Sequence, residues 1–422
     1  AMATTQTEVR VLLQDGVLGG AARRREDEEK LRAPAVVAIT DQFIAIAQSS
    51  KVQLHPLSRS DNVKTVDTAK ATRSLCFNHA GDVLLTGSDD KLIRAWSLPS
   101  CALLRSWEHH KKIGCVAFSK DDTRCLWADR FGEVYAALLF GGETSPILKL
   151  GHLSPISHLL FMPDGARLLS ADREGHIRSS MWPLAEVIST YYLAHVSPLQ
   201  VVLPLTIGPL LLSANTSGHE VCLFHSSSGA LLSQQTSTQL LGALGHEPAS
   251  MASVAPSAAS AASTARKDER KTGTPAGVSE ISKDPVRLEA ACECPAMNAV
   301  ALAFANVAAV VFARPSHTDA NSIDSLKPLV PGAELAKGRA AHSTLTMLPL
   351  STLTLQLSSY PLRLCCSAAG TLCVLDSSSV HTYTPAGAAW CAEPAASFQL
   401  SIVDHGDEAG MRGDDDDDDD DD

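Results

Sequence analysis

The sequence predicts an all-β chain closed into a ring of about seven small antiparallel sheets, a β-propeller. Three observations predict it. Segments RSLCFNHAGDVLLTGSDDKLIRAW (73–96), GCVAFSKDDTRCLWADRFGEVYAA (114–137) and SHLLFMPDGARLLSADREGHIRSS (157–180) align without gaps. Each runs through the same parts: an apolar strand ending in Phe, a polar turn, a second apolar strand, a short charged turn and a third strand. The spacing is regular, since Phe77, Phe118 and Phe161 lie 41 and 43 residues apart and Ile93, Val134 and Ile177 repeat those intervals. A sheet this small cannot bury its apolar faces alone, so the copies must stack, and a ring of copies protects sheet edges.

Taken in order, AVVAITDQFIAIAQSSKVQLHPL (35–57) has the same three-strand rhythm ahead of the aligned copies, and LLLSANTSGHEVCLF (210–224) is a looser copy with one extra turn residue. The period near forty, the Gly151-His152 pair before the fourth unit and Trp96 after Leu92-Ile93-Arg94-Ala95 mark a WD40-type blade. Residues 1–246 are therefore expected to form the first part of the propeller, with clear repeats over 35–225. The Ala/Ser-rich stretch 247–286 has too few large apolar residues to fold and is expected to be a disordered insertion. The remaining blades fall in 287–404, with strand-like runs at 299–312, 345–356, 361–376 and 396–403, and 405–422 is expected to be an acidic disordered tail. VRVLL (9–13) is expected to supply the outer strand of the last blade and close the ring, with RRREDEEK (23–30) as a solvated loop.

Hydrophobic residues make up 45% of the chain and charged residues 19%, which excludes a wholly disordered protein. The formal charge is −12, but Asp414 to Asp422 hold nine of the acids, so 35 basic residues face 38 acidic ones elsewhere. Such a body has no general attraction for nucleic acid, and any RNA contact must come from a local patch or a basic partner. The odd count of 11 cysteines, with no basic-then-apolar leader in the opening residues, points to a reducing compartment without disulfides. Cys292/Cys294 and Cys365/Cys366 lack zinc-ribbon spacing and read as buried thiols. Pro204 and Pro209 break the apolar run 199–212, and the run 299–312 is short and centred on Asn306, so a soluble protein without a membrane span is expected.

Chemistry is hard to find in this chain. It has no Gly-rich phosphate loop, nucleophile elbow, metalloprotease helix or dinucleotide fingerprint, so no catalytic residue, cofactor or metal is expected. Asp89/Asp90 and Asp121/Asp122 sit in turns, where Asp caps its own backbone. His109, His110, Lys111 and Lys112 fall in the connection leading into a blade and read as a solvated loop. What departs from an ordinary repeat is the Ala-Asp-Arg turn at 128–130 and again at 171–173, the second followed by Glu174 and Arg178. An acid and two bases on one face of a propeller make a recognition patch, with Arg94 as the ordinary counterpart of Arg178.

These residues resemble one family, the WD-repeat, non-catalytic subunit of the tRNA (guanine-N7-)-methyltransferase. The resemblance is carried by QFIAIAQSSKVQLHPL (42–57), WADRFGEVYA (127–136), AHVSPLQ (194–200) and above all LGHLSPISHLLFMPDGARLLSADREGHIRSS (150–180). Relatives carry an Ala-Asp-Arg-acid-x-x-Ile-Arg/Lys run at the fourth blade, matched here by Ala171, Asp172, Arg173, Glu174, Ile177 and Arg178, whereas Gly175 and His176 replace charged residues. The resemblance implies a nuclear scaffold without catalysis of its own. It would bind, as a heterodimer, a Rossmann-type S-adenosylmethionine-dependent subunit that forms N7-methylguanosine in the variable loop of tRNA, and would meet tRNA through that complex. The partner-binding residues it implies are Asp172, Arg173, Glu174, His176, Arg178, Asp129 and Arg130. The residues alone leave open a WD40 adaptor of another complex, such as a ubiquitin-ligase substrate receptor or a chromatin component.

Overall fold

The computed structural model describes residues 36–57, 63–141, 145–218, 220–245, 286–305, 307, 309–317, 345–354, 363–376, 379–386, 389–390 and 394–399. Seven four-stranded antiparallel sheets follow one another along these residues, over 36–67, 72–108, 113–151, 156–192, 199–235, 288–354 and 363–399. They are the blades of a seven-bladed propeller, numbered here in that order. From blade two on, the first strand of each blade lies against a strand of the blade before it, and Arg363–Cys366 of blade seven lies against Val36–Ile39 of blade one, which closes the ring.

Packing follows from the repeat. Among the described residues there are seven apolar clusters, each shared by two neighbouring blades, so a blade completes its core only on the next one. Between blades two and three, for example, Leu85, Ile93 and Trp107 meet Val116, Phe118 and Trp127. Second and third strands are covered on both faces, and this gives runs such as Val83–Ser88 their continuous burial. Fourth strands face water; Ala102–Glu108 buries only Trp107 fully.

Blade seven corrects the expected closure. Its outer position is filled by Ala396–Gln399, paired with Ser379–Tyr383, so the strand comes from the same end of the chain as the other three. The segment 9–13 lies outside the described residues, as do 23–30, 247–285 and 405–422. The seam between blades seven and one is an apolar cluster of Val37, Ile44, Ile46, Cys365, Cys373, Leu375 and Val380, with a hydrogen bond from Ala369 N to Asp41 Oδ1 at 2.7 Å. Within 287–404, Ala299–Phe304 with Ala309–His317, and Leu345–Thr354, fall on expected runs. Leu288–Cys294 and Ser379–Tyr383, outside the expected runs, supply further strands of blades six and seven.

The ten described cysteines are free, all of them buried except the half-buried Cys101. Burial pushes the Cys222 thiol up to about 12. Among the described residues no helix is long and apolar enough to cross a membrane.

Candidate functional site

Strand register decides which loops share a face. In blade four Ile156 pairs with Asp172, and Ile177 with Tyr192. The start of the first strand, the turn between strands two and three, and the end of the fourth strand therefore meet at one edge of the sheet. The same holds in blade three, where Ile113 pairs with Asp129 and Glu133 with Gly151. We call this edge the turn face. Neighbouring turns interlock on it. Gly132 has φ +92°, and a Cβ there would lie 2.5 Å from Ser154 O; Gly175 also has φ +92°, and a Cβ would lie 2.6 Å from Ser197 O. Only glycine lets each turn seat against the connection that leads into the next blade.

A buried histidine bound to an acid locks three of these turns. His109, His152 and His195 stand 43 residues apart, each in the connection preceding a blade. His109 Nε2 lies 3.1 Å from Asp129 Oδ2, His152 Nδ1 3.1 Å from Asp172 Oδ2, and His195 Nδ1 3.1 Å from Glu220 Oε2. His152 Nε2 is also 2.8 Å from Ser170 Oγ, so both ring nitrogens are engaged. Asp172 Oδ1 accepts from Glu174 N and His176 N at 3.0 Å, while His176 Nδ1 makes a second contact to Oδ2 at 3.1 Å. Burial would raise the Asp129 and Asp172 carboxyls. Hydrogen bonds from His109, Glu133 N and Phe131 N to the first, and from His152 and His176 to the second, outweigh it and hold both below the ordinary carboxylate range.

This geometry sorts the sequence-derived residues. Asp129 and Asp172 are 1% and 3% exposed, with their carboxylates engaged inside their own turns. Arg130, Arg173, Glu174 and His176 are exposed, and Arg178 is half-buried at the same edge. His109 is buried on Asp129, so the connection read as a solvated loop is anchored, with His110 and Lys112 exposed and Lys111 half-buried.

Arg94 and Arg178 share a strand position but not an environment. Arg94 Nη2 pairs with Asp90 at 2.7 Å, with the two side chains 13% and 11% exposed. Arg178 Nη2 donates to Gly151 O at 2.6 Å, its Nε is buried without a hydrogen bond, and no carboxylate among the described residues pairs with it. Blade two thus satisfies its arginine internally, whereas blade four presents one without a counter-charge. Sequence reasoning missed the exposed apolar side chains of the turn face: Leu153, Leu193 and Val196 in the connections that flank blade four, and Phe131 in the turn of blade three. A signal existed for Phe131, which occupies the turn position that Asp90 and Glu174 hold in the neighbouring repeats.

Among the described residues no group of three or more His, Cys, Asp or Glu side chains is placed to hold a metal. The family described as WD domain, G-beta repeat matches residues 61–97 and 144–179, which span the outer strand of blade one with the inner three of blade two, and the outer strand of blade three with the inner three of blade four. The chain is a WD-repeat β-propeller. A solved chain from "Crystal Structure of Mitotic Checkpoint Complex" superposes on this WD-repeat propeller with a TM-score of 0.54 and 13% identity, covering 79% of this chain and 84% of that one, a likeness of fold. No curated protein matches the sequence. WD40 propellers are typically non-catalytic scaffolds and commonly bind partner proteins.

Proposed function

We propose that this WD-repeat propeller is the non-catalytic subunit of a nuclear tRNA (guanine-N7-)-methyltransferase, binding and stabilising a Rossmann-type, S-adenosylmethionine-dependent catalytic chain. The observation that carries the reading is Arg178. Its guanidinium is held in place by Gly151 O and lacks a carboxylate, beside exposed Arg173 and Glu174, in the segment that most resembles that family. An oriented arginine without a counter-charge is suited to an acidic side chain on another protein, and the exposed apolar residues around it supply surface to bury.

The test is Arg178→Ala with purified catalytic chain. Truncating one partner of a desolvated charge pair costs about 2–5 kcal/mol, so the complex should weaken at least tenfold on the scale of about 1.4 kcal/mol per decade. N7-methylation of tRNA should fall with it and the melting temperature should not. Unchanged affinity sinks the assignment of this residue. Capture of a ubiquitin-ligase or chromatin subunit by the tagged protein, with no methyltransferase present, replaces the whole reading.

A further inference from the structure

A second surface lies one blade away. Phe131 is 59% exposed at a turn position that blades two and four fill with carboxylates, so folding does not ask for an aromatic there. Its ring carries Lys111 Nζ at 4.1 Å from the centroid. Arg130 and Lys112 are exposed beside it, and Lys91 is exposed in the adjoining turn, whose carbonyl accepts from His109 N at 2.9 Å. Of the nearby acids, Asp89 pairs with Arg73 and Asp90 with Arg94, Asp129 is buried against His109, and Glu133 accepts from Tyr135 Oη and keeps its charge. Glu108 remains exposed. Lys91, Lys111, Lys112 and Arg130 have no ion-pair partner among the described residues. The platform is also stiff, because Phe131 N donates to Asp129 Oδ1 at 2.9 Å, and His109 and Tyr135 pack with their rings 4.8 Å apart.

We propose that the turn face of blades two and three binds single-stranded nucleic acid, with a base stacked on Phe131 and the flanking phosphates held by Lys91, Lys111, Lys112 and Arg130. Cations alone would suit any polyanion. The exposed ring among them selects a ligand with free planar faces, and a duplex keeps its bases stacked inside. The body of the chain is nearly neutral overall, so this local excess is what attracts the strand.

The experiment uses the full chain by itself, which keeps its outcome separate from whether a methyltransferase binds blade four. Fluorescence anisotropy is measured with a labelled oligouridylate of about 12 nucleotides, within the usual site size of such surfaces, and with an RNA duplex of the same length. Binding is expected to favour the single strand and to weaken with salt. Phe131→Ala should lose about tenfold in affinity, as removal of one stacking aromatic does, and Phe131→Tyr should keep it. Lys111→Ala with Lys112→Ala should lower the slope of log affinity against log salt by about 0.7 for each phosphate that is no longer neutralised. The variants should melt with the parent, and if Phe131→Ala does not fold, Phe131→Tyr and the lysine pair still decide the matter. Absence of binding, equal affinity for the duplex, or indifference to both Phe131→Ala and the lysine pair overturns the proposal. Displacement of the strand by a poly-aspartate peptide, with Phe131→Ala silent, assigns the surface to acidic peptides instead.

Discussion

Asp172→Ala separates a residue that shapes the turn face from one that contacts a partner. The carboxylate accepts four hydrogen bonds, from Glu174 N, His176 N, His152 Nδ1 and His176 Nδ1, at 3.0–3.1 Å. Two of these donors lie close to solvent: Glu174 N, in an exposed turn residue, and Nδ1 of His176, whose side chain is 55% exposed, so water replaces their partner at small cost. His152 is 4% exposed, and His176 N sits within the turn. Leaving a buried donor unpaired costs about 1–3 kcal/mol, so loss of this carboxylate, which strands two, should destabilise the protein by about 2–6 kcal/mol. Urea unfolding of parent and variant should show the midpoint fall with the slope unchanged, and partner binding should fall only as far as the folded fraction does. A variant with the parental midpoint that nevertheless failed to bind its partner would refute the reasoning, because Asp172 would then be a contact residue despite its burial.

Arg94→Ala should destabilise blade two by about 1–3 kcal/mol, since it strands the nearly buried Asp90, whereas Arg178→Ala should leave the melting curve in place; equal thermal shifts would remove the contrast between the two sites. Gly175→Ala forces a side chain into φ +92° and against Ser197 O, and should cost at least about 2 kcal/mol by the same urea assay, whereas at Gly141, with φ +67° and open space, strain alone opposes the change. Asp121, Asp122, Asp129 and Asp172 all have depressed carboxyl pKa values despite burial that acts the other way, because hydrogen bonds favour their charged forms. Their contribution is present above the unfolded value of about 3.9 and is lost as pH falls through the depressed folded values; burial lowers His55, His195 and His225, so a pH titration of stability should decline first below about pH 6.5 and drop again below about pH 4.

The inner three strands of blades two to four were legible because their apolar runs recur with Phe77, Phe118 and Phe161 at one offset. The outer strands were not, for a physical reason: a strand with one face in water has no periodic core demand, and Ile188–Tyr192 buries only Thr190 and Tyr192. Leu288–Cys294 was hidden differently. It carries two glutamates yet is buried throughout, because Glu293 accepts from Thr206 N, Thr206 Oγ1 and Ile207 N, and a carboxylate satisfied by a neighbouring blade cannot be told from a solvated one in sequence. The candidate site divides along the same line. Arg173, Glu174 and Arg178 stood out as charges, but that Asp129 and Asp172 turn inward depends on His109 and His152, which reach them from 20 residues upstream.

Blade seven takes its four strands from one stretch of chain, so the ring is a coil with a clasp and not a continuous hoop. Each of the other blade junctions is crossed by the polypeptide itself, while this one is spanned, among the described residues, by side-chain contacts and the Ala369–Asp41 hydrogen bond. Tension applied at residues 36 and 399 would bear on the clasp before any blade, and the ring would open there into an arc with both end blades intact. A gene rearranged to begin at blade two and to join blade seven to blade one by a linker would turn that clasp into a hinge, and would move the mechanically weakest point of the molecule to a junction of the designer's choosing.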